Sequence, residues 1–275
     1  MSAVRDTSGL PAHHRATGPG SQGWVALIGG GPGAADLITV RGQRLLAQAD
    51  VVVTDALAPR ALLDEGLPGP AGGASGVGAE IIDASKRRGS HTMDQRDIDA
   101  VLVERALRGQ RVVRLKGGDP YVLGRGGEEA AACRSSGVPV EVVPGVTSAV
   151  AVPAAAGIPV THRGLSRGFT VVTAHADLGE VPRRRDHTLI LLMGVTHLEA
   201  SVGVLLETGH DPATPVAVIE RGYHPDQRVT TTVLRCLPDV AARVGVSAPA
   251  VIVIGDVVTV SPAWADRVTA GSTAG

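Results

Sequence analysis

The sequence predicts an α/β protein built from two αβ halves. Short apolar runs alternate with stretches of helical periodicity along the 275 residues. Over the part of the chain before about residue 164, this order is the one expected of a parallel sheet, and the second half repeats the alternation. Glycine-rich loops follow two of these apolar runs, at residues 29–33 and 117–127. Two clusters of Pro and Gly between residues 144 and 164 indicate a junction between the halves.

Runs rich in apolar and β-branched residues predict the strands, at residues 24–28, 51–53, 111–115, 138–143, 169–173, 189–192, 216–220, 228–234 and 250–254. Apolar residues at helical spacing predict the helices, at residues 40–49, 94–109, 128–135, 198–206 and 238–244. Thr39 is suited to cap the first of these helices, and Gly109 to end the second. The elements divide into a disordered leader at 1–22, an N-terminal domain at 23–160, a C-terminal domain at 161–263 and a frayed tail at 264–275.

Composition excludes several classes of function. Aromatic residues make up only 2% of the chain, too few for base-stacking platforms, and a net charge of −1 gives no general attraction to polyanions. Two cysteines are too few and too scattered for a disulfide framework or a metal site. No apolar run reaches the length of a membrane span, and the N-terminus lacks an apolar signal core. We therefore expect a soluble cytoplasmic protein that binds no metal, nucleic acid or membrane.

The loop at 29–33, Gly-Gly-Gly-Pro-Gly, leaves two interpretations open. A glycine loop after a first strand, with the acidic Asp55 about twenty residues later, resembles a dinucleotide-binding fingerprint. Against this, Pro32 removes a backbone donor and the helix begins late, beyond Asp36. A nucleotide site and a tight turn are both consistent with this motif.

The stretch at 114–129 carries the densest chemistry. Its glycines let backbone N–H groups approach a ligand that a Cβ atom would exclude. Its charged side chains belong to Lys116, Asp119, Arg125, Glu128 and Glu129. This combination predicts one wall of an active site, and the alternative is a solvated turn between a strand and a helix.

Four segments, at residues 29–33, 114–129, 141–148 and 156–163, resemble the tetrapyrrole methylase family. The resemblance implies two αβ domains with a ligand cleft between them, S-adenosyl-L-methionine as methyl donor, S-adenosyl-L-homocysteine as product and a homodimer. It also implies methylation of uroporphyrinogen III at C2 and C7 to give precorrin-2, on the routes to sirohaem and cobalamin. Two alternatives are a methyltransferase of a later corrin precursor and a non-catalytic Rossmann-type nucleotide-binding module.

The resemblance also implies the residues of the site. Those expected to contact the methyl donor are Pro32, Gly117, Gly118, Asp119, Val122, Thr147, Ser148, Met193 and Gly222. Those expected to serve the substrate and the chemistry are Arg125, Glu128 and Arg163, with Asp55 near the transferring methyl group. Additional cations suited to the substrate carboxylates are Lys86, Arg87, Arg88 and Arg167.

Several of these residues also have a structural interpretation. Either Glu128 or Asp55 could accept the proton that leaves the methylated ring system. Arg125 and Glu128, three positions apart, could instead form only a structural pair. Met193 could be a core residue, and we expect His162 and His175 to orient loops rather than act as bases.

Overall fold

The computed structural model describes residues 23–64, 79–85, 93–174 and 178–272. The predicted leader, the basic segment at 86–88 and His175 lie outside these residues. The strands are β1 (Trp24–Gly29), β2 (Val51–Thr54), β3 (Glu80–Asp83), β4 (Arg111–Lys116), β5 (Val140–Val143), β6 (Gly168–Thr173), β7 (His187–Leu192), β8 (Pro215–Glu220), β9 (Arg228–Val233) and β10 (Ala250–Ile254). The helices are α1 (Val40–Leu46), α2 (Ala61–Asp64), α3 (Gln95–Leu107), α4 (Gly126–Ser135), α5 (Ser148–Ala155), α6 (Leu198–Glu207), α7 (Leu237–Val244) and α8 (Pro262–Ser272).

The first sheet is parallel throughout, in the order β3-β2-β4-β1-β5. Both of its faces are covered, which explains why its strands are continuous apolar runs. Along β1, Val25 and Leu27 pack with helices α3 and α4, whereas Ala26 and Ile28 pack on the opposite face with α1. Because all five strands point the same way, their following loops meet at one edge of the sheet.

The second sheet is mixed, in the order β6-β7-β10-β8-β9. Strands β6 and β7 are parallel, whereas β10 is antiparallel to both β7 and β8, and β9 is antiparallel to β8. Helices α6 and α7 cover one face of this sheet. Helix α5 covers the other face, where Ala149 and Val152 pack with Ile190 and Ile219.

Helix ends follow the capping expected from the sequence. The Thr39 hydroxyl accepts a hydrogen bond from the Gly42 amide at 3.1 Å, and Gly109 adopts a positive φ of 84° after helix α3. Helix α3 also begins with a reciprocal capping box between Asp94 and Asp97.

Four differences from the predicted elements involve short segments or segments of weak periodicity. The predicted frayed tail is wrong over its first part, because α8 continues to Ser272 and half-buried Trp264 packs against the core of the second sheet. Strand β3 and helices α2 and α5 were not predicted. The division at residue 160 stays a prediction, although α5, which precedes it, packs on the second sheet. Within the described residues, no helix combines the length and apolar character needed to cross a membrane.

Candidate active site

The loops after β1 and β4 are joined at the carboxyl edge of the first sheet. The Gly30 amide donates to the Lys116 carbonyl at 2.7 Å, and Gly31 and Gly118 exchange backbone hydrogen bonds of 3.2 and 2.7 Å. Ligands of open α/β sheets bind at this edge. The two glycine loops predicted from the sequence therefore form one continuous backbone surface.

Glycine is required where the loop after β5 joins this surface. A Cβ atom on Gly145 would overlap the Gly118 carbonyl oxygen and lie 2.6 Å from the Gly29 Cα. A Cβ atom on Gly29 would lie 2.5 Å from the Gly145 Cα. Three loops can thus pack backbone against backbone only because side chains are absent at these positions.

Asp119 connects two of these loops. Its Oδ1 accepts the Tyr121 amide at 2.8 Å, and its Oδ2 accepts the Gly145 amide at 3.0 Å. Both carboxylate oxygens therefore stabilise the loops in this structure. The predicted donor contact of Asp119 would have to use lone pairs that these amides leave free.

Most of the remaining residues predicted to bind the donor fall into two groups. Gly118 lies beside Thr147 and Ser148, since a Cβ atom on it would be 3.5 Å from the Ser148 amide nitrogen. Gly33, the residue after Pro32, lies beside Gly222, because a Cβ atom on Gly33 would be 3.1 Å from the Gly222 carbonyl oxygen. This second contact joins the first sheet to the loop after β8, so both halves contribute to the site. Gly117 and Val122 lie at either end of the Asp119 turn, half-buried.

Five non-glycine residues of the described chain have a positive φ. They are Leu123, Arg125, Met193, Arg221 and Tyr223, with φ between 48° and 65°. Each such conformation costs on the order of 1 kcal/mol for an L-residue. All five lie in loops that follow strands β4, β7 and β8. Met193 is half-exposed, at 50%, so its interpretation as a core residue is wrong.

An open cavity of about 550 Å³ lies over the second half of the β4–α4 loop. It is lined by Tyr121, Leu123, Gly124, Arg125, Gly126, Gly127, Glu128 and, from the second sheet, Thr173. Arg125 binds Glu128 there with two hydrogen bonds, of 2.9 and 2.7 Å, and both side chains are exposed. The hydrogen bonds from Arg125 lower the pKa of Glu128, so its carboxylate is ionised and weakly basic.

The other two predicted catalytic residues lie in different surroundings. Arg163 is exposed on the turn from His162 to Ser166, and its guanidinium forms no ion pair within the described residues. The His162 ring contacts the Arg163 carbonyl at 2.8 Å within this turn, and its expected role in orienting the loop stays a prediction. Arg167 is 86% exposed and faces Asp186 at 3.6 Å, on the surface. Asp55 lies below the loop surface, where its Oδ1 accepts the amides of Leu57 and Ala58.

A buried ion cluster beneath the site was not predicted. Arg114 and Lys116 on β4 both donate to Oε1 of Glu129, each at 3.1 Å, and Arg114 also reaches Asp55 at 3.3 Å. Burial, and then the neighbouring charge of Arg114, lowers the pKa of Lys116 in spite of Glu129. One sequence signal was available, since Arg114 and Lys116 are two charged residues on one face of a central apolar strand. Within the described residues, no group of three His, Cys, Asp or Glu side chains could hold a metal ion.

Known proteins share this architecture. A Methanosarcina barkeri protein named S-adenosyl-L-methionine-dependent uroporphyrinogen III methyltransferase is 46% identical over 247 residues, covering 87% of this chain and 93% of its own. The uroporphyrinogen-III C-methyltransferase of Methanocaldococcus jannaschii is 43% identical, covering 86% and 98%. The solved structure of uroporphyrin-III C-methyltransferase from Thermus thermophilus complexed with S-adenyl homocysteine has a TM-score of 0.69 and 38% identity, over 86% of this chain and 99% of that one.

Similarity of fold extends beyond these proteins. A cobalt precorrin-4 methyltransferase has a TM-score of 0.72 at 29% identity, covering 85% of this chain and 95% of its own. The family model for Tetrapyrrole (Corrin/Porphyrin) Methylases matches residues 25–238, which is most of the chain. Together with the two αβ halves and the shared glycine-rich edge, this match shows that the chain belongs to the tetrapyrrole methylases.

Proposed function

We propose that this protein transfers methyl groups from S-adenosyl-L-methionine to C2 and C7 of uroporphyrinogen III, giving precorrin-2. The observation that carries the proposal is the β4–α4 loop, whose two halves face different surroundings. Its Gly117–Gly118–Asp119 half packs against the glycine loops after β1 and β5. Its 124–128 half lines the open cavity. This division of the loop supports a methyl donor bound beside the tetrapyrrole.

The residues present fit the methyl donor. The glycines at the edge of the first sheet bring backbone amides and carbonyls close together, which suits the uncharged parts of a zwitterionic ligand. Ser148, at the first turn of α5, and Met193, half-exposed after β7, supply side chains from two further elements. We assign the donor to these residues and to Pro32, Gly117, Gly118, Asp119, Val122, Thr147 and Gly222. The sulfonium methyl is itself a strong electrophile, so the protein has mainly to align it and exclude water.

The cavity suits an anionic tetrapyrrole. Uroporphyrinogen III carries eight carboxylates, and an arginine guanidinium binds a carboxylate through two parallel hydrogen bonds. Arg125 already holds such a pair with Glu128 at the cavity surface. A substrate carboxylate can take the place of Glu128 on Arg125, and we assign a second carboxylate to Arg163.

Proton removal is assigned to Asp55. When a ring carbon attacks the methyl group, the carbon–sulfur bond breaks, the sulfonium becomes the thioether S-adenosyl-L-homocysteine, and a pyrrole N–H proton leaves. Glu128 is exposed, and its low pKa makes it a weak base. Asp55 is partly buried near the joined loops and is held by three protein contacts. We choose Asp55 because these contacts hold its carboxylate in one position and its side chain is 28% exposed, whereas the Glu128 carboxylate is 56% exposed and paired with Arg125.

A second candidate, methylation of a later corrin precursor, deserves a direct test because the fold does not decide between them. The cobalt precorrin-4 methyltransferase superimposes as well as the uroporphyrin-III enzyme, with TM-scores of 0.72 and 0.69. Sequence identity favours uroporphyrinogen III, at 46% against 29%.

We further propose a homodimer in the cytoplasm.

The deciding experiment is to incubate the protein with uroporphyrinogen III and donor carrying a labelled methyl group. We expect a product with two labels. Labelling of cobalt-precorrins but not of uroporphyrinogen III would instead support the second candidate. No transfer to either class, together with tight NAD binding, would support the non-catalytic nucleotide-binding module.

Arg125→Ala tests the assignment of the cavity. Since Arg125 faces the cavity and not the joined glycine loops, we expect turnover to fall at least about 100-fold while S-adenosyl-L-homocysteine affinity changes less than about threefold. The matched control is Arg108→Ala. Arg108, at the C-terminal end of α3, is also exposed and forms an ion pair with Glu104 of that helix. An equal loss of S-adenosyl-L-homocysteine affinity would show that Arg125 belongs to the donor site.

A further inference from the structure

Glu129, the neighbour of Glu128, is the centre of the buried ion cluster. The two glutamates differ completely in environment, because the Glu128 side chain is 56% exposed and that of Glu129 is fully buried. Oε1 of Glu129 accepts hydrogen bonds from Arg114 and Lys116 at 3.1 Å each and from the side-chain amide of Gln95 at 3.4 Å. The cluster therefore concentrates three donors on one carboxylate oxygen.

Stability does not account for this arrangement. Oε2 of Glu129 is buried and has no hydrogen-bond partner among the described residues, which costs about 1–3 kcal/mol. Desolvating the charges of Arg114, Lys116 and Glu129 adds a penalty that apolar side chains of similar size would avoid. Residues that lower the stability of the fold in this way are expected where function requires them.

The cluster ends on the proposed proton acceptor. Arg114 is held by Glu129 and by hydrogen bonds to the carbonyls of Leu115 at 3.0 Å and Val53 at 3.4 Å. These contacts leave its second terminal nitrogen directed at Oδ2 of Asp55, 3.3 Å away. Since Oδ1 of Asp55 accepts two backbone amides, both carboxylate oxygens are fixed.

We propose that Glu129 is a positioning residue for methyl transfer, which holds Arg114 so that Arg114 fixes the position of the Asp55 carboxylate. The inference rests on the proposed function, in which Asp55 accepts the proton. Glu129 itself touches neither donor nor substrate. Its influence on the reaction passes through two side chains and ends at Asp55.

A double-mutant cycle of Glu129→Gln and Asp55→Asn tests this chain of contacts in single-turnover methylation. Gln keeps the shape of Glu129 but loses its charge. We expect Glu129→Gln to lower the methylation rate about tenfold or more, with S-adenosyl-L-homocysteine affinity changed less than about threefold. In the Asp55→Asn background the same substitution should lower the remaining rate less than about twofold, because the group it positions is already removed. Glu104→Gln, on the exposed face of α3, is the control.

Other outcomes overturn the inference in distinguishable ways. An equal loss in both backgrounds, or no loss from Glu129→Gln while Asp55→Asn is inactive, rejects the positioning role and leaves the proposed function intact. Full activity of Asp55→Asn rejects Asp55 as the acceptor and the inference with it. If Glu129→Gln does not fold, as judged by circular dichroism, Arg114→Lys replaces it in the cycle. Lysine keeps the charge beside Glu129 but lacks the second nitrogen that reaches Asp55, so the same non-additivity is expected.

Discussion

Among the described residues, each half of the molecule buries one glutamate completely, and the two differ in how their charge is satisfied. Glu220, at the end of β8, binds Arg228 through two hydrogen bonds of 2.6 and 2.8 Å and accepts the Ser247 amide at 2.9 Å. Glu129, in α4, has three donors on one oxygen and none on the other. Both carboxylates are inaccessible, yet only that of Glu220 has partners on both oxygens.

This difference is the one expected between a carboxylate that stabilises the fold and the positioning residue that we propose for methyl transfer. Burial alone would raise the pKa of Glu220, but the hydrogen bonds from Arg228 and Ser247 together lower it. The folded state therefore favours the ionised form of Glu220, as expected where the network is complete. In the Glu129 cluster, burial instead lowers the pKa of Lys116. The folded state therefore disfavours the charged form of Lys116.

Replacing Glu220 is expected to give the largest effect on stability. Glu220→Gln keeps the shape but puts an amide group where the carboxylate receives charged donors, so at least one strong hydrogen bond is lost. We expect the free energy of unfolding to fall by about 2–3 kcal/mol, measured by urea denaturation at pH 7. Glu207→Gln, on the exposed end of α6, should stay within about 0.5 kcal/mol of the unsubstituted protein. An equally small change for Glu220→Gln would remove the distinction between the two carboxylates.

Lys116→Met should not lower the free energy of unfolding, in contrast to Glu220→Gln. Glu129 keeps Arg114 as its partner, and methionine fills the space of the lysine stem without a charge. We expect the free energy of unfolding at pH 7 to be unchanged or higher by up to about 1 kcal/mol. A loss of more than about 2 kcal/mol would show that Lys116 stabilises the fold and that the cluster resembles Glu220 after all.

The pH dependence of this effect has a defined sign. Because the pKa of Lys116 is lower in the folded state than its ordinary 10.5, the unfolded chain binds more protons between these two values. The unsubstituted protein therefore gains stability from this group as pH rises through that window. The advantage of Lys116→Met should be largest below the folded-state pKa and shrink as pH approaches 10.5, in parallel denaturation series.

The sequence predicted the two glycine loops, the parallel first sheet and all but one of its strands, since these depend on local residue preferences and apolar runs. It did not predict that Glu129, next to Glu128, would be buried. Which of two adjacent glutamates points inward depends on where α4 begins, and α4 begins after Arg125 in a left-handed conformation that no local preference indicates. Helix α5 was missed because its Pro153 and small residues weaken the helical signal, and it forms by packing on the second sheet.

An exposed ion pair at the opposite edge of the first sheet serves as the reference for the two buried glutamates. Its replacement is expected to give the smallest change in the free energy of unfolding. Asp50, before β2, binds Arg111 of β4 through hydrogen bonds of 3.0 and 2.6 Å, and both side chains are partly exposed. Hydrogen bonds from Arg111 hold the pKa of Asp50 below 3.8. Solvent screening limits the contribution of such a pair, so Asp50→Asn should cost about 1 kcal/mol or less at pH 7.

This cost should disappear in acid. A carboxyl group whose pKa is lowered by folding contributes stability above its unfolded value, and the contribution is lost as pH falls through the folded-state pKa. Denaturation of Asp50→Asn and the unsubstituted protein should thus differ at pH 7 and converge below pH 3.8. A difference that persists in acid would mean that the asparagine disturbs the β2–β4 pairing itself. The Asp50 pair could then no longer serve as the exposed reference against which the two buried glutamates are compared.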